Sequence, residues 1–219
     1  MSNIIFIAPP AAGKGTQAEL LEEKYNMVHI SIGDLLRNEV NSNSPLGEHI
    51  KTVMEEGILV ENEIVFELIE NKLITLGVKE SYILEGFPRE INQVLAYEDM
   101  SKRLHKEVDY VIYLRLDEDT ASKRILGRVS CPNCGAVYNE FADTFERPGF
   151  CNKCSTKLVK RDDDNMESFK HRFQTYLSNI KPILDYYSDK GLLYIVDGSA
   201  NKEDIFKNIE NIISGVMKW

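Results

Sequence analysis

The sequence lacks an excess of basic residues and has no apolar run of membrane length. Its 26 Lys and Arg residues stand against 35 Asp and Glu, a formal net charge of -9. A protein that binds nucleic acid or anionic membranes over a broad surface would be basic, so we expect neither partner. The apolar run at residues 4–8 is far shorter than the roughly 20 residues that span a bilayer, and no signal-like basic segment precedes it. We therefore expect a cytoplasmic protein.

Cysteine is absent outside one short segment. The four cysteines are Cys131, Cys134, Cys151 and Cys154, two C-x2-C pairs separated by sixteen residues. Two disulfides would be the ordinary interpretation in a secreted protein, but in a cytoplasmic one this spacing favours a four-cysteine zinc site. Four thiolates complete the tetrahedral coordination of zinc, so the predicted site is structural.

Short apolar runs alternate with segments whose apolar residues recur at helical spacing. The predicted strands lie at about residues 4–8, 28–30, 81–84, 108–114 and 192–196. This alternation indicates an α/β fold whose parallel sheet has helices on both faces and ligands at the carboxyl ends of its strands. The 219 residues suffice for one such core plus an inserted module. The cysteine segment, about residues 129–159, interrupts the alternation and is predicted to be the insertion.

The first predicted strand leads into a small-residue loop, a lysine and a helix-forming stretch. The loop meets the phosphate-loop pattern G-x-x-x-x-G-K-[ST] in part, because Ala8 stands at the first glycine and Gly15 at the hydroxyl position. In such a loop the backbone N–H groups point at an anion, and Lys14 can reach the outer phosphates of a nucleotide. Taken alone, the loop is also compatible with a strand-to-helix turn that carries a surface lysine.

Several arginines lie near predicted strand ends or where the insertion joins the core. They are Arg89, Arg124, Arg128, Arg161 and Arg172. One arginine at a helix end is usually a solvated side chain, but solvation explains five of them poorly. Phosphoryl transfer explains them well, because its transition state is stabilised by positioned Lys, Arg and Mg²⁺.

Asp34 and Glu85 are the carboxylates nearest the predicted site. They are candidates for holding waters on a Mg²⁺ ion, and the alternative is a helix-capping Asp34 with Glu85 paired to an arginine. Three aspartates at residues 162–164 precede a helix, where negative charge is favourable, and Asp163 and Asp164 can also hold the arginines at the ends of the insertion. The histidines form no constellation and are assigned no chemistry; they are His29, His49, His105 and His171.

In this order, the motifs resemble those of the adenylate kinases, in the long form with a zinc-bearing lid that many bacteria have. The similarity covers essentially the whole chain. Its carriers are Gly13-Lys14-Gly15-Thr16-Gln17, Gly33-Asp34-Leu35-Leu36-Arg37, Gly86-Phe87-Pro88-Arg89 with Gln93, Arg124-x3-Arg128, the four cysteines, and Arg161-x-Asp163-Asp164 with Arg172.

The resemblance implies a P-loop nucleoside monophosphate kinase fold and the reversible reaction ATP + AMP = 2 ADP, with Mg²⁺ supplied with the substrate. It implies three parts of one monomeric chain. The core comprises residues 1–30, 61–128 and 162–219, the nucleoside-monophosphate-binding segment residues 31–60, and the zinc-bearing lid residues 129–161. It also implies a cis peptide bond before Pro88.

Individual roles follow from the same resemblance. The residues implied for ATP are Ala11, Ala12, Gly13, Lys14, Gly15, Thr16 and Arg128, with Val137, Tyr138 and Ala200 on the adenine or ribose side. Those implied for AMP are Ile32, Arg37, Ile58, Leu59, Val60, Gly86, Phe87, Pro88, Arg89 and Gln93. The implied catalytic set around the transferred phosphoryl group is Lys14, Arg89, Arg124, Arg128, Arg161 and Arg172, of which Arg161 and Arg172 also hold substrate.

The chain departs from the family pattern at five of its positions. Ala8 and Ala11 stand where glycine is usual, and Ile32, Glu85 and Val129 replace the usual threonine, aspartate and arginine. Ala8 is compatible with the loop if its φ is negative. Ala11 either strains the loop or occupies a position that never needs a positive φ.

Two alternatives stay open. A nucleoside monophosphate kinase with relaxed or different base preference, such as CMP or UMP, is kept open by Ile32 and disfavoured by Gln93, which can pair with an adenine edge. A zinc-ribbon protein that binds nucleic acid would need a basic ribbon, yet residues 141–146 are mixed and acidic.

Overall fold

The computed structural model describes residues 2–42, 44–77, 80–161 and 163–215. Asp162 and the predicted end of the last helix at Val216 lie outside these residues. In chain order the elements are β1 (Ile4–Ile7), α1 (Lys14–Tyr25), β2 (Val28–Ser31), α2 (Ile32–Val40), α3 (Pro45–Glu55), α4 (Asn62–Thr75), β3 (Tyr82–Glu85), α5 (Ile91–Arg103), β4 (Tyr110–Arg115), α6 (Glu118–Leu126), β5 (Arg128–Ser130), β6 (Val137–Asn139), α7 (Met166–Asp189), β7 (Leu193–Asp197) and α8 (Lys202–Ile213).

Five of the strands form the predicted parallel sheet, in the order β2-β3-β1-β4-β7. Successive side chains of a strand point to opposite faces, and β1 shows the consequence directly. Ile5 and Ile7 enter one buried apolar cluster, whereas Ile4 and Phe6 enter another. The sheet is therefore covered on both faces, which explains why its strands are continuous apolar runs rather than alternating ones.

Polar side chains cap the first turns of several helices. Ser31 begins α2 by accepting a hydrogen bond from the backbone N–H of Asp34 at 3.3 Å. Ser44 caps α3 in the same way with Pro45 in the first turn, and Asp117 caps α6. These side chains satisfy backbone N–H groups that a helix leaves open at its N-terminus. The caps matter because α2 and α6 follow strands whose carboxyl ends face the site.

The cysteine segment forms a separate unit between α6 and α7, as the broken alternation predicts. We call residues 129–159 the cysteine module. β5 and β6 pair antiparallel within it. Two isolated antiparallel bridges connect further parts of the module, Ser130 to Val159 and Phe150 to Lys157. Its own apolar cluster is small and consists of Val129, Cys131, Ala136, Cys151 and Leu158. The module is therefore an insertion into the α/β core with little apolar surface to hold it together.

Candidate active site

One cavity opens at the carboxyl ends of the parallel strands, and six cationic side chains line it. They are Lys14, Arg37, Arg89, Arg128, Arg161 and Arg172. The acidic residues lining it are Glu85 and Asp163. A strongly cationic cavity in a protein of net charge -9 points to a small anionic ligand, because an acidic surface repels extended polyanions.

The loop before α1 has the backbone of a phosphate loop. Gly13 precedes the helix at φ 87° and has no side chain that could cap it. In the described structure the first turn of α1 therefore lacks a side-chain cap from its N-cap residue, which leaves its backbone N–H groups as donors for an anion. Ala12 is buried within the loop, while Gly15 and Thr16 continue it into the helix. Lys14 donates from Nζ to the carbonyl oxygens of Ala8 and Pro9, at 3.3 and 3.0 Å.

The two alanines of this loop differ in conformation. Ala8 is not among the described residues with positive φ, so a side chain is tolerated there as the sequence required. Ala11 has φ 60°, in the left-handed region. That conformation costs an alanine about 1–2 kcal/mol relative to its preferred ones. Of the two interpretations open for Ala11, the structure supports strain in the loop.

Lys14 and Arg161 are strongly perturbed cations of the cavity. The pKa of Lys14 is lowered from 10.5 to about 8, mainly by burial, with the charges of Arg89, Arg128 and Arg172 also lowering it and that of Glu85 opposing them. Burial likewise lowers the pKa of Arg161 to about 10, with Arg37 and Arg128 contributing. Crowded cations that disfavour one another's charge are stabilised by any anion that enters between them.

Carboxylates and carbonyls hold the arginines in place. Arg172 donates to Asp163 at 2.8 Å and Arg128 donates from Nε to Asp164 at 2.6 Å, as the aspartates before α7 predicted. Asp34 accepts from Arg37 at 2.6 Å, and the carbonyl oxygen of Gly86 accepts from Arg89 at 2.9 Å. Each guanidinium is thereby oriented before any ligand arrives, which reduces the entropy that binding must remove.

Among the described residues Glu85 pairs with a histidine and not with an arginine, so this alternative of the sequence interpretation is wrong. Its Oε2 lies 3.0 Å from Nε2 of His29, to which the sequence analysis assigned no chemistry. Burial raises the pKa of Glu85, but the hydrogen bond with His29 and the charge of Lys14 outweigh it and hold that pKa below its usual value. The contact joins β2 to the neighbouring β3, a pairing that no local spacing reveals.

Part of the cavity lining consists of apolar residues, and we call this part the apolar wall. Ile32, Leu36, Ile58, Val60 and Phe87 belong to it, and Ile32 is only 2% exposed. The wall is completed by Leu59, Gly86 and Pro88, and the Phe87–Pro88 peptide bond is cis, as implied.

Gln93 lies at the edge of this wall with its amide already engaged. It accepts from the backbone N–H of Arg89 at 2.7 Å and donates to Asn62 at 2.7 Å. Its buried position fixes the start of α5 next to Arg89 and leaves part of its acceptor capacity for a ligand.

Some predicted site residues lie elsewhere in the described chain. Arg124 does not line the cavity but donates to the carbonyl oxygen of Gly198 at 2.9 Å, beside Ala200 on the β7–α8 loop. Val137 and Tyr138 lie on β6 of the cysteine module, where the hydroxyl of Tyr138 is 3.4 Å from Sγ of Cys151. Arg124 is in the last turn of α6, and its side chain reaches the residue that follows β7.

The four cysteines of the module converge as their spacing predicted. Their Sγ atoms all lie within 4.8 Å of one another, with Cys131 3.4 Å from Cys154 and Cys134 3.5 Å from Cys151. These separations exceed the roughly 2.05 Å of a disulfide. Sulfurs about 2.3 Å from one tetrahedral zinc would be about 3.8 Å apart, so the four thiols are arranged to hold such an ion.

The phosphate loop, the strand order and the insertion after α6 define a P-loop nucleoside monophosphate kinase fold. Within the described residues, no helix combines the length and apolar character needed to cross a membrane. A family model described as adenylate kinase matches residues 6–192.

Curated relatives agree with that match over nearly full lengths. Proteins named adenylate kinase from Archaeoglobus fulgidus and Petrotoga mobilis are 41% and 38% identical to the chain, each over 98% of it and 99% of the relative. One from Fervidobacterium nodosum is 37% identical over 99% of both. The chain belongs to the adenylate kinase family.

Proposed function

We propose that this protein catalyses the reversible transfer of a phosphoryl group between ATP and AMP, giving two ADP. The observation that carries the proposal is the cation cluster, in which Lys14 and five arginines line one cavity over the start of α1. Membership of the adenylate kinase family identifies the nucleotides.

The phosphate loop is proposed to hold the ATP phosphates. The uncapped N–H groups at the start of α1 and the side chain of Lys14 supply donors, and Arg128 adds a guanidinium from the edge of the cysteine module. Thr16 and the other loop residues from Ala11 onward complete this cradle. Val137, Tyr138 and Ala200 are assigned to the adenine or ribose side, and the contact of Arg124 with Gly198 next to Ala200 favours the same side for Arg124.

AMP is proposed to lie against the apolar wall. Ile32, Gly86, Phe87, Pro88 and residues 58–60 would enclose the base, and Gln93 would meet its polar edge. Arg37 and Arg89 would hold the AMP phosphate, because a planar guanidinium can grip phosphate through two parallel hydrogen bonds.

The chemical step needs charge stabilisation more than covalent chemistry. The transferred phosphoryl group carries its charge on equatorial oxygens, and positioned cations stabilise that charge without reorganising. We assign this role to Lys14, Arg89, Arg128, Arg161 and Arg172. Mg²⁺ enters as part of the substrate MgATP and neutralises charge on the ATP phosphates.

Residues 129–161 are proposed to act as a zinc-bearing lid and residues 31–60 as the segment that closes over AMP. Zinc held by Cys131, Cys134, Cys151 and Cys154 would be structural, since four thiolates leave no open coordination position. A closed lid excludes water, which would otherwise accept the phosphoryl group. We further propose a cytoplasmic monomer that binds neither nucleic acid nor membranes, in keeping with its net charge.

A coupled assay tests the proposal. The purified protein is supplied with MgATP and, in turn, AMP, CMP, UMP and GMP, and ADP formation is followed. We expect ADP to appear with AMP as the best acceptor. ATP consumption that does not depend on any monophosphate, or a binding shift with oligonucleotides and no transfer, would refute it.

A further inference from the structure

A mostly buried histidine–carboxylate contact lies beside the first turn of α1, and the roles above do not use it. His29 is in β2 and Glu85 is the last residue of the neighbouring β3. Nε2 of His29 lies 3.0 Å from Oε2 of Glu85, and their side chains are 14% and 18% exposed. His29 does not line the cavity, whereas Glu85 does.

The Glu85 carboxylate lies against the first turn of α1. A Cβ placed on Gly15 would be 3.3 Å from Oε2 of Glu85, the same oxygen that faces His29. This oxygen therefore bridges the space between β2 and the phosphate loop. A glycine at position 15 leaves room for that approach.

Glu85 is also the negative charge that faces Lys14. The charges of Arg89, Arg128 and Arg172 all oppose protonation of Lys14, and Glu85 supports it. The cavity's other carboxylate, Asp163, is engaged by Arg172. The position of Glu85 therefore affects the charge of Lys14, the group proposed to bind the phosphate.

An unsupported carboxylate would not keep this position. Burial disfavours its ionised form, and a glutamate side chain that lacks a partner is free to rotate toward water. A hydrogen bond from His29 opposes both tendencies, because an ionised carboxylate is an acceptor only and Nε2 must then be the donor. The charges that face His29 besides Glu85 are Glu22 from α1 and Asp34 from α2, and both favour its protonated form.

We infer that His29 is a positioning residue for phosphoryl transfer, acting through Glu85, whose carboxylate it fixes between β2 and the phosphate loop. The inference rests on the proposed function, since Lys14 is the group that the fixed carboxylate serves. His29 itself touches no substrate. Its contribution depends on the reach of one donor atom, and this requirement can be tested separately from packing.

Two amide variants separate reach from polarity. In His29→Gln the amide nitrogen lies about as far from Cβ as Nε2 does, so the hydrogen bond to Glu85 is kept. In His29→Asn the same amide is one methylene shorter and falls short of the carboxylate. Steady-state kinetics with saturating ATP and AMP, calorimetric titration with ADP, and thermal unfolding are measured for both.

We expect His29→Gln to keep kcat within about threefold of wild type. We expect His29→Asn to lower kcat by about tenfold or more and to weaken ADP binding severalfold, with unfolding midpoints that match between the two variants. In a Glu85→Gln background the difference between them should vanish, because no carboxylate remains to be positioned.

Equal kcat and ADP affinity in the two variants would overturn the inference, as would a difference that persists unchanged in the Glu85→Gln background. A wild-type protein that makes no ADP from ATP and AMP would instead refute the proposed function. The two failures are therefore distinguishable.

Discussion

The cations of the cavity come from two regions that are stabilised by different means. Lys14, Arg37 and Arg89 follow strands β1, β2 and β3 of the parallel sheet, and Arg172 lies on α7. The sheet and its covering helices bury two large aliphatic and aromatic clusters. Arg128 and Arg161 flank the cysteine module, whose apolar cluster has five buried residues, two of them cysteines. The first group is positioned by burial of apolar surface, and the second depends on how four sulfurs and a few ion pairs hold a small insertion.

The difference predicts that the two groups of cations depend on the metal to different extents. Core cations need no metal to be in place, because their strands and helices fold with the main apolar clusters. Cations next to the module reach the cavity only if the module folds, since its small apolar surface alone supplies little stability. Asp164, whose side chain is almost fully buried, links the two regions by holding Arg128 beside the start of α7.

The largest effect should come from the core region. Lys14→Met removes a cation aimed at the transferred phosphoryl group, and loss of one such donor costs about 3–4 kcal/mol, roughly 10²–10³-fold in kcat. Stability should not fall, because the buried charge is itself costly. The measurement is steady-state ADP formation together with thermal unfolding. Lys181→Met, at a highly exposed lysine, is the control. Near-native turnover in Lys14→Met would remove Lys14 from the site.

Metal removal should break the module while sparing the core. Zinc-coupled folding energy is confined to residues 131–154, so chelation should unfold this segment and leave the parallel sheet folded. We expect activity to fall by about tenfold or more, since an unfolded module cannot bring Arg128 and Arg161 to the phosphates. Metal analysis, amide hydrogen exchange and the coupled assay follow these changes.

Cys134→Ser is the matched variant, because Cys134 is exposed and its loss removes a ligand without opening a cavity. Protein with four reduced thiols and no bound zinc would contradict the assignment. So would an exchange pattern in which the core sheet opens together with the module.

A pH series distinguishes Lys14 from the arginines of the cavity. Lys14 has a pKa of about 8, lowered first by burial and then by neighbouring arginines. Phosphate binds the charged lysine better, so affinity for ADP should be highest below that pKa and fall, by up to about tenfold per pH unit, as pH rises through it. Calorimetric titrations from about pH 7 to 9.5 measure this.

Lys14→Arg is the control for the pH series, because a guanidinium stays charged over this range. Its affinity for ADP should therefore be flat where that of wild type declines. A wild-type profile as flat as that of the arginine variant would show that Lys14 does not titrate in this window.

The sequence predicted the parts of the site that depend on local order. A parallel sheet brings its strand ends to one edge, so side chains that follow separate strands, such as Lys14 and Arg89, meet without any further information. The placement of Arg37 beside them is implied by the family resemblance. The convergence of the four cysteines follows from two short paired motifs.

What escaped prediction depends on strand order and backbone strain. His29 and Glu85 are 56 residues apart in the chain, and only the pairing of β2 with β3 brings them together. Arg124 leaves the cavity because α6 turns it toward Gly198. The left-handed φ of Ala11 cannot be read from a residue that normally avoids it.

The smallest effect concerns the apolar wall. Ile32 lines the cavity and offers only hydrocarbon to a base, whereas a threonine would add a hydroxyl. One neutral hydrogen bond contributes roughly 0.5–1.5 kcal/mol, so Ile32→Thr should raise the AMP-to-CMP ratio of kcat/KM by a few-fold to tenfold. Specificity constants for AMP, CMP and UMP measure it. Ile32→Val, which adds no hydroxyl, should leave the ratio unchanged. If wild type ignores CMP and UMP and the threonine variant keeps the same ratio, Ile32 does not read the base.

The central claim is that the cation cluster passes a phosphoryl group directly from ATP to AMP. Incubation with ATP labelled at its γ-phosphate and unlabelled AMP tests it most directly. We predict that the label appears at the β-position of ADP, in proportion to AMP consumed and with no free phosphate, and that Lys14→Met slows this transfer by roughly 10²–10³-fold. Label released as inorganic phosphate, or transfer unaffected by Lys14→Met, would contradict the account.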